Sequence, residues 1–132
     1  MSAEIFHWGH VKFLQSVVEY FPKDSFRLTV LLATDQQITS FKNRKPIQNY
    51  EARKAVLASC SMIDVIESHP DVIDLPLVDR FDYLFHGDDL LQWEQEHFNK
   101  GMKLFLDQNK LILIPYTKDV STSLLIKNIQ GI

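Results

Sequence analysis

The sequence predicts an α/β fold built on a parallel sheet. Two observations carry that reading: helical and strand-like segments alternate along the chain, and the strand-like runs are short and almost wholly apolar. A run such as Arg27-Leu28-Thr29-Val30-Leu31-Leu32-Ala33 has no alternation, so it reads as a strand covered on both faces. The chain of 132 residues has the length of one domain and can bury a core unaided by disulfides or a structural metal.

The elements follow in order. Residues 9–20 form the first predicted helix, because Val11, Leu14, Val18 and Phe21 recur at three- and four-residue spacing, and Phe21-Pro22 ends it. Residues 27–33 are the first strand. Residues 36–47 are expected to be a polar loop. Asn49 is a good N-cap for a second helix reaching about Cys60. Residues 63–66 are a short strand, and a short helix is expected after Pro76. Residues 81–85 are the next strand, delivering His86-Gly87-Asp88-Asp89 at its end. Residues 90–100 read as a helix with Gly101 as its C-cap. Residues 110–114 are the last strand and 121–129 the last helix, with Leu124, Leu125 and Ile129 facing inward.

Composition excludes several functions. A net charge of −3 leaves no basic excess for wrapping a nucleic-acid backbone. Lys42, Arg44 and Lys45, then Arg53 and Lys54, form local basic clusters that suit a small anion better. The lone Cys60 cannot close an internal disulfide and reads as a small buried hydrophobe, so a reducing, cytoplasmic setting is expected. No apolar run approaches the roughly 18 residues of a membrane span, and residues 1–10 lack the pattern of a signal peptide.

Ligands of open parallel sheets bind outside the carboxyl ends of the strands. Four polar clusters follow strand ends or open helices: residues 7–10, 34–45, 86–89 and 117–123. They are expected to meet in one crevice. His7-Trp8-Gly9-His10 puts two imidazoles and a glycine at a helix N-terminus, an anion site by its free N–H groups and dipole. Two unrelated surface histidines or a metal pair are the competing readings, although no Cys pair or His-Glu-x-x-His pattern completes a zinc site. The 42–45 cations are either a solvated charge run or a clamp on a negatively charged transition state. Ser121-Thr122-Ser123 is either plain capping or a second phosphate-facing helix start. Asp88 and Asp89 are either structural or contacts to a metal or a ribose hydroxyl.

Together, Phe6-His7-Trp8-Gly9-His10, Ala33-Thr34-Asp35, Phe41-Lys42, Tyr50-Glu51-Ala52-Arg53-Lys54, Ile63-Asp64-Val65-Ile66, His86-Gly87-Asp88-Asp89 and Val120-Ser121-Thr122-Ser123 resemble the cytidylyltransferase branch of the nucleotidyltransferase superfamily, in its order and at about its spacing. The look is nearest to glycerol-3-phosphate cytidylyltransferases. The resemblance implies a single Rossmann-like domain over residues 1–132, a three-layer parallel sheet with helices on both faces. It implies transfer of CMP from CTP to a small phosphorylated alcohol, with release of pyrophosphate, Mg²⁺ accompanying the triphosphate and no side chain assigned as its ligand. His7, His10 and Lys42 would be catalytic. Phe6, Gly9, Asp88, Thr117, Ser121, Thr122 and Ser123 would contact the nucleotide, and Asp35 and Arg53 the substrates. A homodimer is expected. Alternatives are a heptose-type adenylyltransferase using ATP, and a nucleotide-binding module with little activity.

The sequence departs from the family pattern in three places. Tyr116 and Ser61 stand where the family carries arginines, and Asp119 stands where it carries glycine. Lys118, Lys45 or Arg44 are the cations available to compensate. Met1-Ser2-Ala3-Glu4 takes the place of Gly-x-Phe-Asp, so the family's first strand is expected to be missing from the chain as given.

Overall fold

A computed structural model describes residues 1–88, 100–115 and 117–131. The order of elements is α1 (Trp8–Val18), β1 (Thr29–Leu32), α2 (Asp35–Lys42), α3 (Tyr50–Ala58), β2 (Val65–Ser68), α4 (Leu75–Arg80), β3 (Leu84–Gly87), α5 (Lys100–Asp107), β4 (Leu111–Ile114) and α6 (Thr122–Gln130). The chain forms two compact units, Met1–His69 with Thr117–Ile132, and Pro70–Tyr116.

In the first unit β1 pairs with β2, Thr29 opposite Val65 and Leu32 opposite Ser68, and the pair is parallel as the apolar runs predict. On the other edge of β1, the Met1 amine donates to the Leu31 carbonyl at 2.9 Å and the Ala33 N–H to the Met1 carbonyl at 2.8 Å. The core beneath is Ala3, Leu14, Val30, Leu32 and Leu57, with Phe6, Tyr50 and Ile66 packed around it. Leu32 and Leu57 are fully buried, so truncating either to alanine costs about 2–5 kcal/mol.

In the second unit β3 pairs in parallel with β4, Leu84 opposite Leu111 and Gly87 opposite Ile114. Ile73, Val78, Met102 and Phe105 form its core. Asp74 caps α4 by accepting the Leu77 N–H at 3.0 Å, and Pro76 sits in the first turn, where its missing N–H costs nothing.

Three expectations change. The predicted loop 36–47 holds the helix α2: Thr34 accepts the Gln37 N–H while the Gln37 side chain accepts the Thr34 N–H, a reciprocal capping box. Gly101 is not a C-cap but lies inside α5, where a Cβ would stand 2.3 Å from Cβ of Ile73; the glycine admits that side chain. Ile129 is exposed rather than inward, because the last turn of α6 runs clear of the core. The predicted helix 90–100 lies almost wholly outside the described residues, as do Asp89 and Tyr116.

Candidate active site

The first unit gathers three of the four polar clusters. His7 is the N-cap of α1, and its Nδ1 accepts the Gly9 N–H at 3.0 Å. His10, one turn on, accepts the His7 N–H on its own Nδ1 at 3.1 Å. Each imidazole therefore serves the backbone through Nδ1, which leaves the proton on Nε2 and makes that atom a donor. The rings lie 3.9 Å apart between centroids. Phe6 stacks on His10 at 5.5 Å with an 11° interplanar angle.

Both histidines are neutral at pH 7. Burial lowers the pKa of His7. Burial, with the nearby His7, Met1 amine and Lys42 charges, lowers that of His10 to about 4. The pair offers two neutral N–H donors and no general base.

The second cluster arrives through α2. Lys42 is its last residue, and Asn43 follows with φ 54°, the left-handed C-cap conformation that asparagine tolerates. The turn brings Lys42 and Arg44 onto one buried carboxylate, Glu4, whose side chain is 0% exposed. Arg44 bonds it at 2.8 and 3.2 Å, Lys42 also bonds it, and the Ile47 N–H adds 3.2 Å. Burial alone would raise the carboxyl pKa; the bonds from Arg44, Lys42 and Ile47 overcome it and hold Glu4 at about 2. Glu4 stands where the family pattern has aspartate, but sequence reasoning gave it no role. Its signal was an acid three residues before His7 in a chain with a basic 42–45 cluster.

The third cluster opens α6. Ser121 caps it, accepting the Leu124 N–H at 3.0 Å, and Thr122 and Ser123 form the first turn. A Cβ on Gly9 would lie 3.1 Å from Cγ1 of Val120, so the start of α1 and the loop entering α6 are in contact. Two helix N-termini thus approach each other with dipole ends of one sign, while the Gly9 and Leu124 N–H groups are taken by the His7 and Ser121 side chains. Thr117 is half-buried in the same loop, and Asp119 is exposed.

Arg53 and Asp35 form a different arrangement. Arg53 is fully buried and donates to the carbonyls of Gln48, Ser2 and Ala33 at 3.0, 2.9 and 2.7 Å, and to Asp35 Oδ1 at 2.7 Å. Its guanidinium joins α3, the N-terminal segment and the end of β1. Asp35 keeps a side chain 44% exposed at the start of α2. In the second unit, Asp88 follows β3 and its N–H donates to Ile114 at 2.9 Å, while His86 Nδ1 lies 3.1 Å from the Gly87 carbonyl.

A sequence family described as cytidylyltransferase-like matches residues 2–128. Glycerol-3-phosphate cytidylyltransferase of Bacillus subtilis (strain 168) is 28% identical over 98% of this chain and 92% of its own length. FAD synthase of Korarchaeum cryptofilum (strain OPF8) is 27% identical over 96% of this chain and 85% of its own. FAD synthase of Thermococcus kodakarensis is 34% identical over 60% of this chain and 51% of its own.

Proposed function

The chain belongs to the cytidylyltransferase-like family of nucleotidyltransferases, and from that premise we propose that it transfers CMP from CTP to a small phosphorylated alcohol of the glycerol 3-phosphate kind. A phosphate oxygen of the acceptor attacks the α-phosphorus of CTP. The bond from that phosphorus to the bridging oxygen breaks, and pyrophosphate leaves with the electron pair. The nucleophile is already an anion, so the step needs no general base, which agrees with two histidines that can only donate.

The observation that carries the reading is the meeting of the His7 and His10 donors, the Lys42 cation and the two helix starts in one unit. His7 and His10 would donate to the α-phosphate region, and Lys42 would offset charge developing on the leaving oxygens. Ser121, Thr122 and Ser123, with Thr117, would receive the terminal phosphates at the start of α6. Gly9 leaves room for the His7 ring and Val120, which a Cβ would crowd, and so keeps the histidine in place. Asp35 is the exposed partner of the pair it makes with Arg53, and would face the acceptor; Arg53 supports it from within. Phe6 acts through His10.

Mg²⁺ fits as a companion of the triphosphate. Among the described residues no group of three His, Cys, Asp or Glu side chains could hold a metal. Mg²⁺ bound through phosphates keeps most of its waters and needs few protein ligands. It would supply charge neutralisation on the phosphates.

A second reading is adenylyl transfer from ATP, favoured by the likeness to two FAD synthases. Pyrophosphate release separates the two. With Mg²⁺ and a panel of phosphorylated alcohols, release with CTP alone supports the first reading and with ATP alone the second. Tight binding of CTP without release would mark a nucleotide-binding module. We also propose a homodimer, for which light scattering at micromolar concentration should give twice the chain mass. Among the described residues no helix is long and apolar enough to cross a membrane.

A further inference from the structure

We infer that Glu4 is a positioning residue, one that holds Lys42 and Arg44 ready for the phosphates of the nucleotide. The inference rests on the reading of Lys42 as a phosphate-binding cation and deepens it.

The bonding of Glu4 is more than a buried acid requires. Oε1 accepts from Arg44 and the Ile47 N–H, and Oε2 from Lys42 and Arg44. Its main-chain carbonyl accepts Gln48 Nε2 at 3.0 Å. One carboxylate thereby ties the end of α2 and the turn after it to the segment entering α1. A buried anion must be paired, but one cation would neutralise it. Here two cations share it, and the trio carries a surplus charge of one. That surplus is not buried: the Lys42 and Arg44 side chains stay 35% and 38% exposed. It lies beside the histidine pair, since Lys42 is among the charges that depress the His10 pKa.

The backbone is committed to this arrangement. Ala3, directly before Glu4, is buried with φ 49°, a left-handed conformation that non-glycine residues adopt at a cost. Free lysine and arginine side chains in solvent lose rotamer freedom when they grip a ligand. Held by Glu4, they have lost most of it beforehand, so anion binding is tighter for the same contacts.

The test is a double-mutant cycle read by calorimetry with inorganic pyrophosphate on the full chain, with thermal melts alongside. Lys42→Met should weaken pyrophosphate binding at least tenfold in the wild-type background. In a Glu4→Gln background the same change should cost less than threefold. Glu4→Gln alone should weaken binding at least tenfold, and Glu4→Asp should recover it to within threefold of wild type. A Glu4→Gln protein that melts lower but binds as wild type, or additive effects in the cycle, would overturn the inference. Should Glu4→Gln fail to fold, the carbon-13 carboxylate resonance of Glu4 in the wild-type protein decides: it should shift on saturation with pyrophosphate, and an unmoved resonance overturns the inference. A wild-type chain that binds no pyrophosphate overturns it as well. A chain that shows the predicted cycle yet releases pyrophosphate from neither CTP nor ATP overturns the transferase reading alone.

Discussion

His10 Nδ1 accepts the backbone N–H of His7 at 3.1 Å, and this bond decides what His10 can do. With Nδ1 occupied, the ring presents Nε2–H as a donor. His10→Ala removes that donor and should lower kcat by about a hundredfold or more. The lost cap should lower stability by only about 1 kcal/mol. Steady-state kinetics with a thermal melt checks both; a variant turning over at the wild-type rate contradicts the assignment.

The pH dependence of stability has a definite sign. The His10 pKa of about 4 lies below the 6.5 of a free imidazole, so the unfolded chain takes up its proton first as pH falls. The stability linked to this group is whole above pH 6.5 and is lost as pH falls towards 4. The Glu4 contribution is separate, whole above about 4.5 and lost towards 2. Urea midpoints between pH 7 and 4.5 should fall less steeply in His10→Asn than in wild type. Equal slopes would contradict the buried, neutral His10.

Arg53 should behave as a structural residue. Its guanidinium is fully buried on three carbonyls and Asp35. Arg53→Ala should cost about 3–5 kcal/mol, leaving the partners unpaired, and Arg53→Lys should rescue little because lysine lacks the planar fork. A well-folded Arg53→Ala protein with only a raised KM would contradict this and restore a direct contact with substrate.

Two glycines separate site from core. In Gly9→Ala the new Cβ would lie 2.9 Å from Cε1 of His7 and 3.1 Å from Cγ1 of Val120. It should lower kcat at least tenfold, by roughly the effect of displacing one donor, with a small change in melting temperature. Gly101→Ala meets Ile73 at 2.3 Å and should lower the melting temperature by several degrees, leaving kcat of the folded protein unchanged. The reverse pattern in either variant would contradict the placement.

Much of this was legible in the sequence. The apolar runs at β1 and β4, and the Asn49 cap, announce themselves because burial and capping are local demands. The histidine pair was legible for the same reason, since spacing on one helical turn is a local fact. α2 was hidden because few apolar residues mark it, though its Thr34-x-x-Gln37 box was present. Glu4 was hidden because its partners lie 38 to 43 residues away and only folding brings them together. Arg53 was assigned to the substrates on its charge, and its burial on three carbonyls was hidden because sequence shows charge but not burial.

The central claim is that this site joins a nucleotide to a phosphorylated alcohol. Phosphorus-31 spectroscopy of the wild-type chain with CTP, Mg²⁺ and glycerol 3-phosphate tests it most directly. The account predicts a new pair of coupled diphosphate resonances growing in equal measure with pyrophosphate, and neither in His10→Ala. Unchanged CTP with every phosphorylated alcohol tried, at protein concentrations where CTP is bound, would contradict it.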